Sequence, residues 1–339
     1  MGQHWSLRSQ WFPPRPLFST DHIPDLSNRI AIVTGGNTGI GKETVRALLS
    51  HNARVYLAAR DPLKAQLAID DLKSDTGKDT LYFLECDLAD MKSVARAAET
   101  FLSKEHELHM LFNNGGVMWT DVSQLTKDGY DLQFGTNCLG HALLTLRLIP
   151  ALLAGARSSP DAKARVVTTA SLAAYLDVIH WGTFRPGPER DKLDTYALYN
   201  QSKHANVVFA KELARRYGDK GIVSTSVNPG NLKTELQRHM DPISRFFTNA
   251  VAYQQNLVLY PVPYGALTQL YAGTSPESVN LNGKVRIPLP FLSSPPDSFK
   301  LRPQFLVPWA RVAECRPEAS DPEIGKRLWE YIEQETKDV

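Results

Sequence analysis

Cysteine is scarce in this 339-residue chain. Cys86, Cys138 and Cys315 are widely spaced and form no C-x-x-C pair. That excludes a disulfide scaffold and fits a reducing, intracellular and cytoplasmic setting. A run of about eighteen apolar residues is also lacking, so no membrane-spanning helix is expected. His106-Glu107-Leu108-His109 sets its histidines too close for a helical zinc site, and no metal site is read elsewhere. Charge of either sign is balanced to a net +2, too mild to suggest a nucleic-acid partner. Internal repeats are absent. What remains is an ordinary globular composition, 42% apolar, long enough for one large α/β domain or two small ones.

The most informative stretch is Arg29 to Leu49, RIAIVTGGNTGIGKETVRALL. Ile30 to Val33 is a continuous apolar run, as expected of a strand buried on both faces. Glycines follow at 35, 36, 39 and 41, and Val45, Leu48 and Leu49 then recur on one helical face. A glycine turn between a strand and a helix gives a phosphate the free amides and positive dipole end of the helix. Two nucleotide loops compete here. Gly36 to Lys42 reads G-x-x-x-x-G-K, but the next residue is Glu43 where a phosphate loop needs a hydroxyl for magnesium. The better reading is the dinucleotide variant T-G-x-x-x-G-x-G, from Thr34 to Gly41.

Further along, strands are expected at 54–58, 81–84, 108–112, 165–169 and 222–227. Helices are expected at 62–73, 91–102, within 125–153, at 198–217 and from Asp321 to Lys337, the last with Pro322 in its first turn. Such alternation predicts an α/β fold with a doubly wound parallel sheet and helices on both faces. No composition shift marks a linker before about residue 280, so residues 25–339 read as a single domain behind an N-terminal arm, residues 1–24. Six prolines between 288 and 308 predict an irregular surface loop insertion at about 288–306.

Tyr199 and Lys203, in ALYNQSKHANVVFA, are four apart and share a helical face. An ammonium beside a phenol favours the phenolate, so the pair is expected to lower the tyrosine pKa toward a usable acid and base. Ser171 ends the strand RVVTTAS, at the carboxyl edge where doubly wound sheets bind ligands.

Thr34-Gly35-x-x-x-Gly39-Ile40-Gly41, Asn113-Asn114-Gly115-Gly116, Ser171, Tyr199-x-x-x-Lys203 and Pro229-Gly230, in this order, resemble the short-chain dehydrogenase/reductase family. The resemblance covers roughly Asp25 to Val279 and Pro308 onward. GGNTGIGKET and FNNGGVM are most similar to its retinol dehydrogenase and WW-domain oxidoreductase branch, fungal members included. It implies a Rossmann-type fold and an oxidoreductase that moves a hydride between nicotinamide and an alcohol or carbonyl. By that resemblance Tyr199 would protonate the carbonyl oxygen and Ser171 would hydrogen-bond it. Lys203 would bind the nicotinamide ribose, and Asn137, in FGTNCLGH, would hold a water of the proton relay. The cofactor would lie against Gly35, Asn37, Thr38, Gly39, Ile40 and Gly41. Beyond them, Asp87 and Leu88 would meet adenine, Asn114, Gly115 and Gly116 would line the cleft, and Pro229, Gly230 and Thr234 would cover the nicotinamide amide. Gly115 stands where the family usually has alanine. Ser171 lies farther before Tyr199 than in the smaller members, and the extra segment, Ala173 to Asp194, is expected to wall the substrate site. A cofactor-binding sensor or scaffold without turnover is the alternative function.

The second strand ends Ala58-Ala59-Arg60, with alanine where NAD-preferring members carry aspartate. Arg60 offers a guanidinium to a 2′-phosphate, so NADP(H) is expected to be preferred over NAD(H). Val251 to Leu270, rich in tyrosine and branched apolar residues, reads as a wall for a lipophilic small molecule, as helix packing or as a homo-oligomer contact. Met1 to Ser6 fits the myristoylation pattern at Gly2, which alone would give weak membrane association. The competing reading is an arm whose Trp11, Phe12 and Phe18 pack on the domain.

Overall fold

Short apolar segments lie side by side in one sheet of order β3-β2-β1-β4-β5-β6-β7-β8. This computed structural model describes residues 15–232, 260–282, 305–313 and 315–339. The strands are β1 Ile30–Thr34, β2 Arg54–Ala59, β3 Leu81–Glu85, β4 Met110–Asn113, β5 Ala164–Thr169, β6 Ile222–Val227, β7 Phe305–Val307 and β8 Arg311–Ala313. The first seven are parallel and β8 is antiparallel to β7. Every residue of β1, β4, β5 and β6 is buried, as the apolar run of β1 led one to expect, although β5 and β6 also bury threonines, serines and Arg165.

Helices cover both faces and divide the core in two. One layer buries α1 Gly39–Ser50, α2 Pro62–Thr76 and α6 Val262–Thr274 through residues such as Val45, Leu72 and Leu270. Phe18 of the N-terminal segment joins this layer, edge-on to Tyr271 with ring centroids 5.4 Å apart. The other layer buries α3 Met91–Leu102, α4 Leu132–Ser158, α5 Thr195–Tyr217 and α7 Pro322–Thr336. Aspartates 61, 90, 194 and 321 cap α2, α3, α5 and α7, each accepting a hydrogen bond from a first-turn amide. The strand order reverses between β2-β1 and β4-β5. The crevice beyond the carboxyl ends of β1 and β4 is therefore a topological switch point, where such sheets bind ligands.

Two expected elements differ in the structure. By length and composition α4 could cross a membrane, but 72% of its apolar window is buried, so it is a core helix. It is also interrupted, since Gly135–Leu139 forms a π-helical turn. Residues 288–304 lie outside the described residues, but Phe305–Val307, the end of the expected irregular stretch, is a strand. It pairs with β6, and Asn228 N–H donates to the Leu306 carbonyl at 2.6 Å. Three residues are too few to show a period, and the prolines around them masked the strand.

Candidate active site

Thr34, the last residue of β1, organises the switch point. Its Oγ1 accepts the amides of Asn114 and Gly115, both at 2.9 Å, while Asn114 Nδ2 donates to the Thr34 carbonyl at 2.8 Å. The loops after β1 and β4 are thereby locked together. Gly41 sits so close beneath Gly35 that an added Cβ would collide with the Gly35 carbonyl oxygen and the Asn114 side chain. Gly39, at the start of α1, is the opposite case: its φ is +55° and a Cβ there would meet nothing within 4 Å. This open cradle at a helix N-terminus fits the pyrophosphate of a dinucleotide. Half-buried Asn37 and Thr38 lie beside it, and Ile40 is buried below.

The rest of the predicted cleft gathers around it. Leu88 Cδ1 lies 3.0 Å from where a Cβ on Gly115 would stand. Neighbouring Asp87 caps its own loop, with Oδ1 accepting from Ala89 N–H at 3.0 Å. Pro229 and Gly230 follow β6, and Gly230 (φ +88°) lies against Trp309. Arg60 is exposed just past β2, and among the described residues it has no ion pair. Thr234 lies outside the described residues.

Asn137 sits in the π turn of α4, a kind of interruption frequent at functional sites. Its side chain is wholly committed. Nδ2 donates to the Val117 carbonyl at 2.9 Å and to Ser202 Oγ at 3.0 Å, while Oδ1 accepts from Val117 N–H at 2.8 Å. One turn on, His141 bridges Asn137 to Thr34: Nδ1 lies 2.9 Å from the Asn137 carbonyl and Nε2 2.8 Å from Thr34 Oγ1. A carbonyl can only accept, so Nδ1 carries the proton and Nε2 is left as an acceptor for the threonine hydroxyl, which also has the Phe112 carbonyl at 3.2 Å as an acceptor. Burial holds this imidazole neutral, its pKa pushed down to about 4. Neither Thr34 nor His141 was picked from the sequence as a functional side chain. The signal for His141 was its place four residues after Asn137 on the same helix.

The three remaining candidates converge at the carboxyl end of β5. Ser171 ends that segment, and the phenol of Tyr199, itself buried, comes close enough for the serine hydroxyl to oppose the rise in its pKa. Lys203 Nζ donates to the Thr169 carbonyl at 3.0 Å and lies 5.8 Å from the Tyr199 ring centroid. A Cβ on Gly116 would fall 2.8 Å from Asn137 Oδ1 and 3.7 Å from Lys203 Nζ, so the loop after β4 closes over the group. The expected fall in the tyrosine pKa is not what the environment produces. Burial pushes Tyr199 up to about 12, opposed by the Ser171 hydroxyl, and the same burial lowers Lys203 to about 8. Both groups are desolvated, and the ammonium is held by a backbone carbonyl.

Two neighbours complete the surroundings. Residues 181–190 of the extra segment are pinned. Arg190 pairs with buried Asp131 at 2.9 Å, and Phe184 stacks on Phe134 with centroids 3.8 Å apart. Arg185 lies over Tyr130 and bonds Glu335 of α7 at 2.8 Å. Trp119, three residues past Gly116, stands edge-on to Tyr199, with centroids 6.5 Å apart.

A family model described as short chain dehydrogenase matches residues 29–185. A short-chain dehydrogenase/reductase of Armillaria gallica is 52% identical over 338 residues, covering 100% of both chains. The chain belongs to the short-chain dehydrogenase/reductase family. Retinol dehydrogenase 11 of Mus musculus is 39% identical over 260 residues, covering 76% of this chain and 77% of its own length. Among solved structures, an uncharacterized protein from Mycobacterium Paratuberculosis superposes with a TM-score of 0.64 at 26% identity, covering 94% of this chain and 97% of that one. This short-chain dehydrogenase/reductase is an NAD(P)-dependent oxidoreductase acting on CH–OH and C=O groups, with retinol dehydrogenase-like relatives.

Proposed function

We propose that this enzyme transfers a hydride between NADP(H) and the alcohol or carbonyl carbon of a lipophilic substrate, with Tyr199 as the general acid and base. The observation that carries the reading is the convergence of the buried Tyr199 phenol, Ser171 at the end of the β5 segment and the Lys203 ammonium, which donates to the Thr169 carbonyl beneath Gly116. The bound nicotinamide supplies or accepts the hydride. In the reducing direction Tyr199 gives its proton to the carbonyl oxygen while Ser171 donates a hydrogen bond to that oxygen. Lys203 holds the nicotinamide ribose and favours the phenolate left behind. Asn137 keeps the loop after β4 and α5 in register through its three hydrogen bonds, beside the phenol where a relay water would pass.

Along the cofactor, Gly35 to Gly41 take the pyrophosphate, Asp87 and Leu88 the adenine, and Asn114 to Gly116 the ribose side of the cleft. Pro229 and Gly230 cover the nicotinamide amide. Arg60, exposed and following Ala59, takes the 2′-phosphate. The likeness to retinol dehydrogenase 11, named for a lipophilic alcohol, and the aromatic groups beside Tyr199 support the substrate class.

The test is Tyr199→Phe. With NADPH and lipophilic aldehydes or ketones, the variant should lose roughly a hundred- to ten-thousandfold in kcat, the usual worth of general acid–base catalysis. Cofactor binding should change little, because only the transferable proton is removed. Turnover by Tyr199→Phe at the parent rate would overturn the assignment.

A further inference from the structure

We propose that Trp119 is a specificity-determining wall of the substrate site, and that it favours substrates carrying an aromatic or conjugated ring next to the reacting carbon. This rests on the function proposed above. The first observation is backbone strain. Trp119 has φ +54°, in the left-handed region that a bulky side chain avoids. The chain maintains it through a buried polar network. Trp119 N–H donates to Gln133 Oε1 at 2.8 Å, and Gln133 Nε2 donates to the Thr195 carbonyl at 2.9 Å. Thr195 Oγ1 in turn bonds the carbonyl of Thr120, at 2.6 Å. Gln133 and Thr120 are both buried, so the turn is fixed from beneath and from its far side.

The strained turn aims the indole at the site. It stands edge-on to Tyr199 at 6.5 Å and to Tyr196 at 5.2 Å between centroids. A tryptophan that only packs looks different: Trp329 is 2% exposed and stacks on Phe209. Trp119 is half-buried, and Tyr196 keeps 47% of its surface exposed, so aromatic surface is left uncovered beside the phenol. Rings attract rings edge-to-face or offset-stacked beyond the area they bury, whereas a saturated group gains the area alone.

The experiment compares phenyl methyl ketone with cyclohexyl methyl ketone in the holoenzyme with NADPH. The ratio of their kcat/KM values in the parent is divided by the ratio in each variant, which cancels the intrinsic reactivity of the two ketones. Trp119→Gly suits the left-handed backbone and removes the ring, so it should fold and lower the phenyl preference roughly two- to twelvefold. Trp119→Phe should retain most of that preference. An unchanged ratio in Trp119→Gly would overturn the proposal. A second arm measures binding of both ketones to the Tyr199→Phe enzyme–NADPH complex, with and without Trp119→Gly. A phenyl preference that vanishes with the ring supports the wall even if the acid–base assignment fails. Equal binding of the two ketones to the Trp119 form refutes the wall independently of turnover.

Discussion

Thr34 and His141 stand 107 residues apart in the chain and share a buried hydrogen bond of 2.8 Å. Through it the threonine that holds the loop after β4 is joined to the helix that carries Asn137. The arrangement suits a neutral imidazole, because Thr34 Oγ1 already accepts two amides and has no lone pair left for an N–H from Nε2. Protonation would place a second N–H against that hydroxyl and a charge in the core.

Stability is therefore expected to fall as the pH drops from about 6.5 to about 4. His141 and His109 both have folded pKa values lowered from 6.5 to about 4, in each case chiefly by burial. For such a group the stabilising contribution is complete above the unfolded pKa, and it is lost as the unfolded chain takes up a proton that the folded chain refuses. The fully buried His141 alone corresponds to about 3 kcal/mol across that window. Denaturant titrations at pH 7 and pH 5 should show the loss. His141→Gln should start less stable at pH 7 and then decline less steeply. A parent protein equally stable at both values would contradict the account.

Gly41 and Gly115, both beside the cofactor cleft, should respond very differently to alanine. Gly41→Ala drives a methyl into the Gly35 carbonyl, a backbone atom that cannot swing away, so it should cost several kcal/mol or displace the turn. Gly115→Ala meets only the terminal methyl of Leu88 at 3.0 Å and backbone or hydroxyl atoms at 3.4 Å. It should change stability by less than about 1 kcal/mol, since the lost unfolded-state freedom offsets a small strain. Thermal melts of the two purified variants, with cofactor titrations, decide it. A collapse in Gly115→Ala matching that in Gly41→Ala would be the contrary result.

Much of this site was legible because it is built from local signals. β1, the glycine turn and α1 are written in one stretch of sequence, and Tyr199 and Lys203 share a face by spacing alone. Asp194 caps α5, whose true start at Thr195 precedes the expected one by three residues, and that capping signal could have been read. The missed features depend on distant partners. Trp119 adopts φ +54° because Gln133 and Thr195 hold the turn, which no window around residue 119 contains. Strand β7 exists because β6 offers it an edge. The Tyr199 shift was expected to go down because the lysine was visible in the sequence and the burial was not.

Arg190→Met tests whether the extra segment is a fixed wall. Arg190 and Asp131 are both almost completely buried and 2.9 Å apart, and Arg190 also donates to the Val122 carbonyl. Removing the guanidinium leaves a carboxylate whose burial already raises its pKa. Losing one partner of a buried pair typically costs about 3–5 kcal/mol. The variant should melt markedly lower, and residues 181–190 should gain amide exchange ahead of the sheet. Parental exchange in that segment would mean that Phe184 and Arg185 hold it without the ion pair.

Cofactor choice gives the last prediction. β2 ends at Ala59, paired with Glu85 of β3, and Arg60 follows at the carboxyl edge with its side chain exposed. With alanine at the position where an aspartate would grip a ribose 2′-hydroxyl, no carboxylate there opposes a 2′-phosphate. A guanidinium free to turn toward the crevice can bind that phosphate through paired N–H donors. A hydrogen bond to a charged group contributes roughly 1.5–3 kcal/mol, so Arg60→Ala should weaken NADPH about ten- to a hundredfold. NADH, which lacks the phosphate, should bind almost as before. Ala59→Asp should act in the same direction by adding repulsion, lowering NADPH affinity while sparing or improving that for NADH. Fluorescence titration of both nucleotides against the parent and the two variants measures all of this. Equal losses for the two cofactors in Arg60→Ala, or no loss for NADPH, would show that Arg60 does not read the phosphate.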